Sequence, residues 1–108
     1  MKAIFEVKSI ENQWRPPFRK KMGELSFEAA NGEKFDRIRA NGNDEAVFTL
    51  IDVRGGRALV EYCRLFTLKG DNPGNRRIWL SQGEPVELTY LWGEDGITKK
   101  IKFTGSRE

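Results

Sequence analysis

The segment Glu84–Phe103, EPVELTYLWGEDGITKKIKF, constrains the fold more than any other stretch of the chain. Val86, Leu88, Tyr90 and Trp92 alternate with Glu87, Thr89 and Leu91. That is the two-residue period of a strand with one buried face. Gly93-Glu94-Asp95-Gly96 is turn chemistry, because glycine reaches positive φ without a Cβ clash. Ile97, Ile101 and Phe103 resume the alternation against Thr98, Lys100 and Lys102. A four-residue loop sets Trp92 against Ile97, Leu88 against Ile101 and Val86 against Phe103, with Glu87 opposite Lys102 on the wet face. A tighter turn centred on Asp95-Gly96 keeps the same faces and slides the pairing by two residues, so register stays open.

The same alternation recurs along the chain. Ala3, Phe5 and Val7 alternate with Ile4 and Glu6 in a strand expected over Lys2–Lys8. Ser9–Gly23 breaks that pattern, and Pro16-Pro17 favours an extended path outside any central strand. Leu25, Phe27 and Ala29 mark a second strand, and Asn31-Gly32 signals a two-residue hairpin. Phe35 and Ile38 lie three apart and cannot share one face of a regular strand, so a bulge is needed between them. The two Ala-Asn-Gly triplets, at 30–32 and 40–42, read as turns at both ends of one short strand.

Ala46–Val53 is apolar on both faces, as in a central strand. A tight Gly55-Gly56 turn would pair Val53 with Ala58, Ile51 with Val60 and Thr49 with Tyr62. Arg64–Lys69 is expected to extend that strand, Gly70–Asn75 to be a loop, Arg76–Leu80 a short strand and Gly105–Glu108 a frayed tail. No segment carries a 3.6-residue apolar stripe, although Ser9–Asn12 or Asn43–Ala46 could form one helical turn. About eight short strands separated by regular turns predict an all-β single domain over residues 1–108, either an antiparallel sandwich or a small barrel.

Composition narrows the function classes. With 38% hydrophobic and 32% charged residues, the chain is built to fold around a core and lacks a bilayer-length apolar run. Met1 leads directly into a charged strand with no secretory pattern, and Cys63 is the only cysteine; both point to a cytoplasmic setting. The chain has no histidine. Imidazole general bases, Ser-His and Cys-His pairs and the common zinc sites are therefore excluded. No acidic spacing makes up the loss, so the expectation is a protein that is not an enzyme and holds no cofactor.

Four features carry binding chemistry. Trp14, Arg15, Phe18, Arg19, Lys20 and Lys21 interleave aromatic rings with cations, which suits nucleic-acid bases and phosphates or an acidic partner surface. Arg54 and Arg57 face each other across Gly55-Gly56, where two guanidiniums could hold a phosphate or carboxylate. Lys99 falls on the otherwise apolar face of Ile97, Ile101 and Phe103, with Tyr90 the expected neighbour. Asp71-Asn72-Pro73-Gly74-Asn75 offers too few oxygens for calcium and reads as a connecting loop. Together these point to a small non-catalytic module for protein binding, with another protein as the expected partner. A nucleic-acid-binding barrel comes second, although net charge is only +3. A carbohydrate-binding sandwich with Trp79 and Trp92 as stacking platforms comes third.

Overall fold

The computed structural model describes residues 1–13, 19–40, 43–63, 75–92 and 95–108. Eight antiparallel strands cover most of them: β1 (Lys2–Asn12), β2 (Arg19–Ala29), β3 (Lys34–Ala40), β4 (Asn43–Arg54), β5 (Arg57–Cys63), β6 (Asn75–Ser81), β7 (Val86–Trp92) and β8 (Asp95–Arg107). They form two four-stranded sheets, ordered β2-β1-β8-β7 and β3-β4-β5-β6. The sheets pack into a β-sandwich with no helix among the described residues. The sandwich settles the choice left open between two sheets and a barrel. Ser9–Asn12 and Asn43–Ala46 are strand, not helical turns.

The core lies between the sheets and is largely aromatic. Phe5 stacks on Phe35 with ring centroids 4.2 Å apart and planes 5° from parallel. Phe103, Phe27 and Phe48 tilt against this pair at centroid distances of 5.8, 6.5 and 6.3 Å. Offset and tilted ring pairs add roughly 0.5–1.5 kcal/mol beyond area burial. Phe35 reaches the core through the bulge its spacing demands: pairing shifts between Lys34–Thr49 and Asp36–Phe48, leaving Phe35 as the extra residue. Phe35 and Ile38 are both buried as a result.

Several sequence expectations change in the fold. β1 does not stop at Lys8: it runs to Asn12 and pairs with β2 as far as Asn12–Arg19. Asn31-Gly32 makes a turn but no hairpin, since β2 and β3 belong to different sheets. The turn is tied to β4 instead, with Gly32 N donating to Leu50 O at 2.7 Å and Leu50 N to Glu33 O at 3.0 Å. Gly32 has φ +86°, which explains the glycine. The end of the chain is not frayed, because Gly105, Ser106 and Arg107 pair with Ile4, Ala3 and Lys2.

Two hairpin registers also differ. In β4–β5, Val53 faces Ala58 as expected, but a shift leaves Ile51 unpaired, so Leu50 faces Val60 and Thr49 faces Glu61. In β7–β8, Val86 faces Ile101, Leu88 faces Lys99 and Trp92 faces Asp95. That pairing lies two residues from the four-residue register, in the direction opposite to the tighter alternative. A two-residue slip keeps every side chain on its face, so patterning alone could not select among the three. β8 is also held by β1 along its other side, from Asn12–Gly96 to Lys2–Arg107. The outer face of the first sheet carries a charge row across all four strands, Glu24–Lys8–Lys100–Glu87.

The core assignment has a direct test by urea unfolding. Phe103, fully buried against Phe5, should cost about 3–5 kcal/mol as Phe103→Ala, through lost transfer energy and the cavity left behind. Lys100→Ala, on the outer charge row, should change stability by no more than about 0.5 kcal/mol. Equal losses would show that the assignment of the two faces is wrong.

Candidate functional site

The Phe35 bulge has a second effect. It turns Asp36 inward beside Phe35, and Asp36 meets a lysine from the opposite sheet. Lys99 Nζ lies 3.1 Å from Asp36 Oδ2, with both side chains only 10% exposed. The same ammonium donates a hydrogen bond to Ser9 Oγ at 2.8 Å. Asp36 Oδ2 is buried and meets Lys99 as an ion pair. A buried charge is tolerated only when paired, and this pair joins the two sheets across the core margin.

The ion pair floors a groove of about 320 Å³ between β2 and β3. Met22, Leu25 and Phe27 line its apolar side, with Ser9, Asp36 and Lys99 beneath. Leu25 faces Val7 across β1–β2, on the core-facing side of its sheet. Val7 is buried, yet Leu25 is 65% exposed and Met22 is 56% exposed. β2 is an edge strand of its sheet, and among the described residues these two side chains stay largely exposed there. The result is an apolar-rimmed groove with a polar floor.

The described candidate residues read from the sequence fall in two places. Arg19, Lys20 and Lys21 are exposed at the start of β2 and pair with Asn12, Glu11 and Ile10. Trp14, Arg15 and Phe18 lie outside the described residues, as do Arg64–Lys69 and the Asp71–Gly74 loop. Arg54 and Arg57 do face each other, flanking glycines with φ of +54° and +76°. Their tip stands at the opposite end of the sandwich, where Gln82 N donates to Gly56 O and Gly83 N to Phe103 O. The two described candidate clusters, Arg19–Lys21 and Arg54/Arg57, therefore do not converge. Each arginine of the tip also has an internal partner. Arg54 Nε donates to Asp52 Oδ2 at 2.6 Å, and the Arg57 guanidinium lies 5.2 Å from the Trp79 ring centroid. These contacts relieve the cross-strand repulsion that an anion was expected to relieve.

Lys99 is the one candidate that the fold places at a built site, but its neighbour across the hairpin is Leu88, not Tyr90. Sequence reading missed Asp36, Met22 and Leu25. Asp36 was signalled by the Phe35–Ile38 spacing, since a bulge there reverses the face of the residue between them. Met22 was not signalled: it is the extra residue in a second bulge, where Ser9 faces Gly23 but Ile10 faces Lys21. No group of three or more acidic or cysteine side chains is arranged to hold a metal among the described residues. No helix there is long and apolar enough to cross a membrane. The architecture defines the chain as an antiparallel β-sandwich. No protein-family model, curated protein or solved structure matches it.

The ion pair gives linked expectations for its two members. Asp36→Ala leaves a buried ammonium without its counter-charge and should cost about 3–5 kcal/mol. Lys99→Met keeps the stem volume but leaves the Asp36 carboxylate, only 10% exposed, without its counter-charge, and should also destabilise by about 3–5 kcal/mol. The double variant Asp36→Leu/Lys99→Met removes both charges and should recover most of the loss, to within about 1 kcal/mol of the parent. Thermal and urea unfolding of the three variants checks this, and a double variant as unstable as Asp36→Ala would contradict it.

Proposed function

We propose that the protein is a small non-catalytic interaction module whose working surface is the β2 edge and the groove beneath it. The observation that carries this reading is the exposure of Met22 and Leu25 on the core-facing side of an edge strand. Solitary exposed apolar residues need no explanation, but these two rim one groove together with Phe27. An edge strand of 11 residues also offers unpaired backbone donors and acceptors along its free side. An extended protein segment satisfies both features at once: its backbone adds to the sheet and its alternate side chains enter the groove. The floor beneath it is polar, formed by Ser9 and the Asp36–Lys99 ion pair.

Two other readings receive less support. Nucleic acid favours a continuous cationic surface, whereas Arg19–Lys21 and Arg54/Arg57 stand at opposite ends. A sugar platform needs an open ring face, and Arg57 stacks over Trp79, which is 39% exposed.

A phage-displayed library of random peptides about ten residues long tests the module directly. Peptides selected on the parent should be extended, apolar at alternate positions, and bound at least tenfold more weakly by Leu25→Lys, or ~1.4 kcal/mol. Selected peptides that bind parent and Leu25→Lys equally would remove β2 as the working surface.

A further inference from the structure

We propose that Asn31 is a latent deamidation site, kept silent by the fold and released when the turn between β2 and β3 opens. The chemistry needs only neighbouring atoms and water. The Gly32 backbone nitrogen, once it has lost its proton, attacks the side-chain carbon Cγ of Asn31. A C–N bond forms, Nδ2 leaves as ammonia, and a cyclic succinimide remains. Water then opens that ring at either carbonyl carbon. Cleavage at Cγ gives aspartate. Cleavage at the main-chain carbon gives isoaspartate, with the chain rerouted through the side chain. No oxidant or reductant is required. Asparagine followed by glycine is especially open to this reaction, since glycine has no Cβ to hinder ring closure.

Asn31 and Gly32 are both exposed, so water reaches them freely. What the fold withholds is the nucleophile. Gly32 N donates to Leu50 O at 2.7 Å, at the short end of the N–H···O range, so its proton is held against a main-chain carbonyl. Glu33 N closes the turn on Ala30 O at 3.0 Å, and Leu50 N ties it to β4 again through Glu33 O at 3.0 Å. The side chain under attack is restrained as well, with Asn31 Nδ2 reaching Asp52 Oδ1 at 3.4 Å. Ring closure needs the Gly32 amide freed and the Asn31 side chain swung back over it, so these bonds must break first. The glycine is itself dictated by the turn. Gly32 has φ +86°, while an added Cβ would meet no atom within 4 Å, so conformation and not crowding selects it. The turn thus demands the residue that makes the asparagine labile.

Conversion acts on the crossover between the strands that wall the groove. Isoaspartate lengthens the main chain where the Gly32–Leu50 and Leu50–Glu33 bonds set its spacing. It also leaves a carboxylate near Asp52, where Asn31 presents a donor. Both changes loosen the hold of β4 on the turn.

The test holds the intact chain at mildly alkaline pH, natively and in guanidinium chloride beyond the unfolding midpoint, and follows it by tryptic mass mapping. Cleavage after Lys21 and Lys34 gives Met22–Lys34, in which Asn31 is the only asparagine. The other Asn-Gly pair, Asn41-Gly42, lies outside the described residues and falls on a separate peptide, Ala40–Arg54. Conversion at Asn31 should be at least about tenfold slower in the native chain than in the unfolded one. Guanidinium below the transition should raise the native rate in step with amide exchange at Gly32, since both await the same opening. The isoaspartyl product, separated by its added negative charge, should exchange its Gly32 and Leu50 amides at least about tenfold faster than the parent. Equal conversion rates in folded and unfolded chain, no conversion in either, or an isoaspartyl form as protected as the parent would each overturn the proposal.

Discussion

The structure depends on one irregularity, the bulge at Phe35. A regular β3 could send either Phe35 or Asp36 toward the opposing sheet, but not both. The extra residue sends both, and each finds a partner there: Phe35 stacks on Phe5, and Asp36 meets Lys99. The two contacts differ in what they contribute. Ring stacking adds to apolar burial and stabilises the sandwich outright. The ion pair roughly breaks even against its desolvation, and its clearer effect is on alignment. Moving β3 relative to β8 would strand two buried charges, so the pair penalises displaced sheet packings more than it stabilises the correct one.

Topology adds a further constraint. The second sheet is a simple meander, β3 to β6, built from neighbours in sequence. The first sheet is closed by β8, which pairs with β1 along nearly the whole length of both. Lys99 and its hydrogen-bond partner Ser9 come from those two strands, 90 residues apart. The groove floor therefore exists only when both ends of the chain have come together. Such long-range pairing carries a loop-closure cost that must be met before its contacts form, so the meander is the natural first structure.

How much of this could be read from the residues depends on the scale of the interaction. The alternation of Ala3, Phe5 and Val7 gave their burial, and Phe35 with Ile38 gave the need for a bulge, because these follow from the pleat of a single strand. Arg54 opposite Arg57 followed from turn geometry alone. Asn31-Gly32 misled, because a turn fixes a change of direction and not the sheet to which the next strand belongs. Register in β7–β8 was hidden because slips of two residues are invisible to patterning. The groove was hidden for a stronger reason. Leu25 sits in the same period as Phe27 and Ala29, and its exposure arises only because β2 ends up at an edge.

That last point separates β2 from an ordinary guarded edge. Strand propensity at positions 22 and 25 could be met by threonine, and solubility would be better served by it. Apolar side chains there contribute little to the isolated fold, since more than half of each surface remains in water. Their cost is borne by the free protein as an adhesive rim, while the bulge and the three preceding cations limit what can adhere. Stickiness combined with restriction is the physical basis of a selective contact, because discrimination requires both an attraction to one partner and a penalty against others. In the proposed module the rim supplies the first, and the cations and bulge at the start of β2 supply the second.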